Sequence, residues 1–149
     1  MQHPLHDFVS HWIKRTSREL DRLCDRRLEA YGLTASQVNV LEQLWSYGDG
    51  MTQKELHEKL GIRPASLTNL LDALVTGGWV VRVPDSRDAR VKRIILTEAG
   101  QAQRDVCLGI MQELEDMTRQ RLTEEEVSTM LELLRRTHGH LPTEKNKGE

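Results

Sequence analysis

The segment Asp85–Gly100 constrains the fold of this chain more than any other part of the sequence. Its letters are D-S-R-D-A-R-V-K-R-I-I-L-T-E-A-G, and its charged first half separates two short apolar runs at 79–83 and 91–96. Both runs are rich in Val and Ile, which favour strands, and the polar break between them favours a turn. The segment therefore predicts a β-hairpin with arginines at its tip.

Two short helices are predicted immediately before this hairpin. Thr52 and Glu55 have the spacing of a capping box, and Gly61 suits the left-handed end of the first helix. Pro64 suits the first turn of the second helix, where its missing N–H costs nothing. An apolar stripe at helical spacing follows and is ended by Gly77–Gly78. A helix pair followed by a basic hairpin is typical of a winged helix-turn-helix, which indicates DNA binding.

The outward face of the second helix carries small or hydrogen-bonding side chains, as a helix lying in a major groove requires. Arginines on the hairpin can bind phosphates or enter a narrow minor groove. The residues that we expect to contact DNA on these grounds are Arg63, Pro64, Ala65, Ser66, Thr68, Asn69, Arg82, Arg87, Arg90, Lys92 and Arg93.

Charge is distributed unevenly along the chain. The net charge is −2, but residues 51–93 hold eight Lys and Arg against five Asp and Glu, while both flanks are acidic. Local charge rather than the total sets the potential that a phosphate meets. The basic excess therefore coincides with the predicted DNA-binding elements.

Long helices are predicted on both sides of the winged helix. The first runs from Pro4 to Tyr31, a second follows the capping box of Thr34 and Gln37, and a third runs from Thr97 to about Arg121. A last helix follows the capping box of Thr123 and Glu126. The expected fold is mainly α with a small β-hairpin (α+β): a winged helix-turn-helix at 34–97, dimerisation helices at 1–33 and 98–140, and a flexible tail at 141–149.

The terminal helices carry more apolar surface than one small domain readily buries. Exposed apolar stripes imply association, and a two-fold dimer is the commonest solution. A homodimer would present two winged helices to a pseudo-palindromic operator in double-stranded DNA.

These motifs resemble the MarR family of transcriptional regulators over nearly the whole chain. The closest correspondence is Asp88-Ala89-Arg90 followed by Leu96-Thr97-Glu98-Ala99-Gly100, supported by Leu33-Thr34, Gln37 and the run 70–74. The resemblance implies a homodimeric repressor. It places Arg90 in the minor groove and adds Asp88 to the DNA site as the residue that holds this arginine.

The resemblance also implies that a small phenolic or aromatic acid releases the DNA. Its pocket would lie between the dimerisation helices and the winged helix. The candidate residues for this effector are His11, Trp12, Arg15 and Trp45, since tryptophan can stack on a ring and arginine can pair with a carboxylate.

Two alternatives stay open at this point. Cys24 and Cys107 could sense oxidants, although Cys24 falls on the apolar stripe of the first helix, Cys107 lies within the fifth, and the two have no metal-ligand spacing. A winged helix can also serve as a protein–protein interaction module, although the basic hairpin favours DNA. No phosphate-binding loop, nucleophile elbow or HExxH pair is present, so we expect neither an enzyme nor a metal or cofactor. We likewise expect no signal peptide and no membrane span, and a cytoplasmic location.

Overall fold

The computed structural model describes residues 4–48 and 50–142. The elements in chain order are α1 Val9–Leu28, α2 Ala35–Tyr47, β1 Met51–Thr52, α3 Gln53–Leu60, α4 Pro64–Thr76, β2 Val80–Pro84, β3 Lys92–Leu96, α5 Glu98–Ala102, α6 Arg104–Arg119 and α7 Glu124–His140. The chain divides into two compact units, Met1–Leu114 and Glu115–Glu149. The mainly helical class with a small antiparallel sheet is confirmed.

The predicted helix boundaries around α3 and α4 are confirmed. Thr52 and Glu55 form the capping box of α3, and Gly61 ends that helix at φ 63°, in the left-handed region. Pro64 occupies the first turn of α4, and Gly77 follows its last residue. The capping boxes at Thr34 and Thr123 are present as well. Local hydrogen bonding thus sets these ends, as the sequence indicated.

The hairpin is part of a three-stranded antiparallel sheet of order β1–β3–β2. β2 pairs with β3 from Val80 opposite Leu96 to Pro84 opposite Lys92. The edge strand β1 pairs Met51 with Ile94 and was not predicted. A two-residue strand has no detectable alternation in the sequence, so only its pairing reveals it.

The core of the first unit joins the winged helix to the adjoining helices. Its fully buried leucines lie on four helices, α1 to α4: Leu28, Leu41, Leu44, Leu56, Leu67, Leu71 and Leu74. Val80 and Ile94 add the inner face of the sheet, and Cys107 adds α6. The stripe predicted on α4 is therefore its buried face, and the opposite face is left to solvent.

The first helix is shorter than predicted. It begins at Val9 rather than Pro4, because residues 4–7 form a turn in which the Phe8 N–H bonds to the carbonyl of Leu5. It ends at Leu28, and a 3-10 turn, Glu29–Tyr31, leads to Gly32 in the left-handed conformation. Val9 is 72% exposed, so the first turns of α1 lie outside the core.

The helix predicted from Thr97 to Arg121 is two helices. The break lies at Gln103, whose N–H bonds to the carbonyl of Gln101. An apolar period continues across such a one-residue interruption, so the sequence pattern could not show it. α7 begins at its predicted cap, and within the second unit Arg119 pairs with Glu115 and Glu124.

The junction between the hairpin and α5 is a close backbone contact. Thr97 donates its N–H to the carbonyl of Trp79 at 3.1 Å, and its hydroxyl donates to the carbonyl of Gly78 at 2.6 Å. The same hydroxyl caps α5 by accepting the Gly100 N–H. A Cβ on Gly100 would lie 2.1 Å from the Trp79 carbonyl oxygen. Glycine is therefore required there on steric grounds.

The tail predicted at 141–149 lies outside the described residues beyond position 142. Among the residues that the structure does describe, no helix is both long enough and apolar enough to cross a membrane.

We expect Gly100→Ala to lower the free energy of unfolding by about 3 kcal/mol, because the added methyl collides with a backbone carbonyl that cannot move freely. Gly109→Ala is the control. It lies in α6, where no described atom beyond its own stretch of helix lies within 4 Å of the added Cβ, and it should stabilise by about 1 kcal/mol through helix propensity. Urea unfolding monitored by circular dichroism measures both, and equal effects would contradict the steric argument.

Candidate nucleic-acid interface

The outward face of α4 carries most of the helix residues predicted to contact DNA. Arg63 stands at the N-cap in an extended conformation, and Pro64 begins the helix. Ala65, Ser66 and Asn69 are exposed, opposite the buried leucine stripe. The N-terminus of a 13-residue helix with a cation at its cap is a favourable place for a phosphate.

Thr68 differs from its neighbours on α4 because it is half-buried and its hydroxyl is engaged. Thr68 Oγ1 donates to the carbonyl of Pro64 at 3.1 Å. It also accepts from Gln53 Nε2, the first residue of α3, at 2.8 Å. The structure thus places Gln53 beside the predicted reading face. Sequence reasoning missed this residue, because nothing in its position after the Thr52 cap marks it as different from any other helix-opening glutamine.

Asp85 organises the base of the wing, which is the β2–β3 hairpin with its connecting loop at 85–91. Its carboxylate accepts the N–H groups of Arg87 at 3.0 Å and Asp88 at 3.2 Å. It also accepts Arg93 Nε at 2.6 Å. The Arg93 guanidinium continues to the carbonyl of Gly50 at 2.7 Å. One carboxylate therefore ties the loop to β3, and Arg93 ties β3 to the residue before β1.

The hydrogen bond from Arg93 holds the pKa of the Asp85 carboxyl below its ordinary value, and the backbone N–H of Arg87 adds to this effect. The carboxylate side chain is only 11% exposed, whereas the Arg93 side chain is 41% exposed. The wing base is thus ionised at neutral pH and held by charge-assisted hydrogen bonds.

At the wing tip, Asp88 and Arg90 form a two-pronged ion pair. Arg90 Nε donates to Oδ1 at 3.1 Å and Arg90 Nη2 donates to Oδ2 at 3.2 Å. The contact that the resemblance implied is therefore present. The Arg90 side chain is 91% exposed, so the pair orients a cation that stays open to solvent. Its hydrogen bonds also lower the pKa of Asp88.

The remaining basic residues of the wing fall into two groups. Arg87 is exposed, and Lys92 is exposed with its Nζ donating to the carbonyl of Ala89. Arg82, by contrast, is half-buried and donates from Nη2 to Asp72 of α4 at 2.7 Å. Arg82 and Arg93 therefore join elements of the fold, whereas the tip cations face outward.

The four candidate effector residues lie in two places. On α1, the Arg15 guanidinium carbon stands 5.5 Å from the centre of the Trp12 ring, and the His11 ring meets Trp12 edge-on. Trp12 is 43% exposed. Trp45 instead packs against the core and donates its indole N–H to the carbonyl of Gly100. Trp12 thus presents an exposed ring beside the Arg15 guanidinium, whereas Trp45 is hydrogen-bonded within the fold, to Gly100 of α5.

The two cysteines are packing residues in this structure. Cys24 and Cys107 are both buried free thiols in the core of the first unit. Burial raises the pKa of both thiols, and the neighbouring Asp25 adds to this effect at Cys24. A protonated, buried thiol reacts slowly with oxidants. No cluster of three or more His, Cys, Asp or Glu side chains suited to a metal occurs within 4–48 and 50–142.

Comparison with known proteins gives consistent matches along the chain. The MarR family profile matches residues 33–92. The multiple antibiotic resistance protein MarR of Escherichia coli (strain K12) is 33% identical over 125 residues, which are 83% of this chain and 86% of that protein. A mutant MarR from E. coli complexed with operator DNA aligns with a TM-score of 0.83 at 30% identity, over 95% of this chain and all of that one. The S. aureus MepR–DNA complex aligns with a TM-score of 0.83 at 28% identity, over 89% and 98%.

We expect Arg93→Gln to raise the pKa of Asp85 toward the ordinary carboxyl value near 4, because the hydrogen bond that favours the ionised form is weakened. The lowered pKa stabilises the fold at any pH above that ordinary value, and this stabilisation is lost as the pH falls through the lowered one. The difference in stability between the native chain and the variant should therefore shrink below a pH of about 4.

Carboxyl carbon shifts followed by NMR against pH measure the Asp85 pKa directly. Arg90→Gln is the matched control, since it removes a partner of Asp88 and should leave Asp85 unchanged. An Asp85 pKa that is the same in the native chain and in Arg93→Gln would contradict the role assigned to the Arg93–Asp85 hydrogen bond.

Proposed function

This chain belongs to the MarR family of transcriptional regulators, and on that premise we propose that it binds operator DNA sequence-specifically through α4 and the wing. Like its relatives, it is a transcriptional regulator and not an enzyme. The observation that carries the proposal is the exposed Arg90, held by Asp88 at the tip of the wing in a fold similar to two DNA-bound regulators.

The proposed contacts follow from exposure and chemistry. Arg63, Arg87 and Lys92 supply phosphate contacts around the N-terminus of α4 and the loop of the wing, and Arg90 enters the minor groove. Ser66 and Asn69 read base edges in the major groove, with Pro64 and Ala65 in apolar contact. Arg82, Asp88 and Arg93 act on DNA through the geometry of the wing, since all three are half-buried as well as bonded within the protein.

We extend the proposal to a homodimer on a pseudo-palindromic operator. Large apolar side chains are exposed near both ends of the chain, including Phe8, Val9 and Ile13 in the first unit and Leu131 and Leu134 in the second. Exposed apolar side chains of this kind, in each unit taken by itself, are best explained by association with a second copy. Two copies would then present two reading helices to two half-sites.

Repression and release by a small aromatic acid complete the proposal. A dimer bound over a promoter excludes the polymerase, so repression is the simplest consequence of binding. The support for an effector is the exposed Trp12 ring with Arg15 beside it, which suits an aromatic carboxylate. Titration of benzoate into the protein–operator complex tests this part, and an operator affinity that does not change with benzoate would argue against it.

We expect Arg90→Ala to weaken operator binding by about 1–3 kcal/mol while leaving the fold intact, because the exposed guanidinium is lost from the groove. Fluorescence anisotropy at fixed salt, with the operator identified by selection from random duplexes, measures the effect. Arg22→Ala is the control: Arg22 pairs with Glu19 on the surface of α1 and should leave the affinity unchanged. Equal affinities for all three proteins would remove Arg90 from the interface.

We expect Leu134→Glu to raise the dissociation constant of the dimer by roughly 100-fold or more, because each copy loses about 1.5–3 kcal/mol of leucine burial and gains a charge. Sedimentation velocity at several concentrations measures it. Thr129→Glu adds the same charge to an exposed polar position of α7 and should leave the dimer intact. A native chain that sediments as a monomer at micromolar concentration would contradict the homodimer.

A further inference from the structure

We infer that Gln53 of α3 reads an adenine in the operator and that Thr68 of α4 is the residue that positions it. This inference rests on the proposed DNA binding. Its starting point is the hydrogen bond of 2.8 Å between the side chains of Gln53 and Thr68, which joins the first residue of α3 to the outward side of α4.

The hydrogen-bond inventory of Thr68 determines which way the Gln53 amide points. A threonine hydroxyl has one proton, and here it goes to the carbonyl of Pro64. The hydroxyl can therefore only accept from Gln53, so the neighbouring amide atom must be the nitrogen. The alternative amide orientation would place two acceptors against each other. Thr68 thus uses its donor inside α4 and fixes the orientation of the amide.

This orientation leaves two groups of the Gln53 side chain available. Nε2 retains a second N–H, and Oε1 retains its acceptor lone pairs. One donor beside one acceptor matches the major-groove edge of adenine, where N7 accepts and the N6 amino group donates. A fixed amide loses less conformational entropy on binding than a free one, which strengthens discrimination.

The position of the pair fits this role. Gln53 and Thr68 are both half-buried, so each is packed on one side and open on the other. Thr68 follows the exposed Ala65 by three positions and precedes the exposed Asn69 on α4. The amide therefore borders the face that the proposal places in the major groove, on a second helix.

The experiment is selection of binding sites from random duplexes with the native chain and with Gln53→Ala, followed by titration of the selected sites. The Gln53→Ala variant should lose the preference for A·T at one symmetric position in each half-site. Its affinity for the native site should fall about tenfold or more, with non-specific affinity unchanged. Gln101→Ala, an exposed glutamine on α5, is the matched control and should behave as the native chain does.

Two further variants separate reading from packing. Gln53→Glu removes the N–H groups that bond Thr68 and adenine N7, and it should abolish the preference for adenine at that position. Thr68→Val keeps the shape of the side chain but releases the amide, and it should weaken the preference at the same position as Gln53→Ala. The double variant should then lose no more than Gln53→Ala alone.

The outcomes distinguish this inference from the function on which it rests. Selection of no sequence by the native chain would remove the proposed function itself. Selection of an operator by the native chain, with the same base preferences in Gln53→Ala and Gln53→Glu, would overturn the role of Gln53 alone. A Gln53→Ala variant whose affinities for specific and non-specific DNA fall by the same factor would indicate that Gln53 contacts the DNA phosphate backbone. That result would also overturn the inference.

Discussion

The structure depends on the close backbone contact where the turn at Gly78–Trp79 meets the start of α5. Thr97 bonds this turn with both its N–H and its hydroxyl, and the same hydroxyl caps α5. Gly100 allows the helix to lie against the Trp79 carbonyl, while Trp45 of α2 bonds the Gly100 carbonyl from within the same unit. The sheet, α2 and α5 therefore share one junction. The direction in which the wing leaves the helical core is set there, which explains in physical terms why a Thr and a Gly occur three residues apart after β3.

The wing separates scaffold charges from surface charges. Arg93 and Asp85 are bonded to each other and to backbone groups of two segments, the wing loop and the residue before β1, so they act as an internal brace. Arg90 is also paired, yet it remains almost fully exposed. An ion pair at the surface contributes little to stability, so the value of the Asp88–Arg90 pair lies in orienting the guanidinium. A charged tip held in this way loses less side-chain entropy when it enters a groove.

On the helix-turn-helix, the proposed reading surface is likewise held by polar contacts between neighbouring elements. Asp72 and Arg82 connect α4 to β2, so the helix and the wing are coupled through a charged contact as well as through the core. Thr68 and Gln53 connect α4 to α3. Each of these contacts positions a polar group beside the exposed face of α4 rather than adding to the apolar core. The proposed interface is thus preorganised by hydrogen bonds at its edges, while leucine packing holds the helices beneath it.

The sequence by itself determined the elements whose causes are local: four capped helix starts, the left-handed glycine ends, the hairpin, the leucine stripe of α4 and the exposed arginine at the wing tip. These follow from hydrogen bonds three residues apart and from the apolar period, which the letters display directly. Only the tertiary structure decided which arginines are internal, that β1 pairs with β3, that the helix after Thr97 is broken and that Gln53 meets Thr68. Arg93 meets a carbonyl 43 positions away and Gln53 meets a hydroxyl 15 positions away. Contacts over such separations arise from packing of the whole unit, so neither charge counts nor hydrophobic periodicity can predict them.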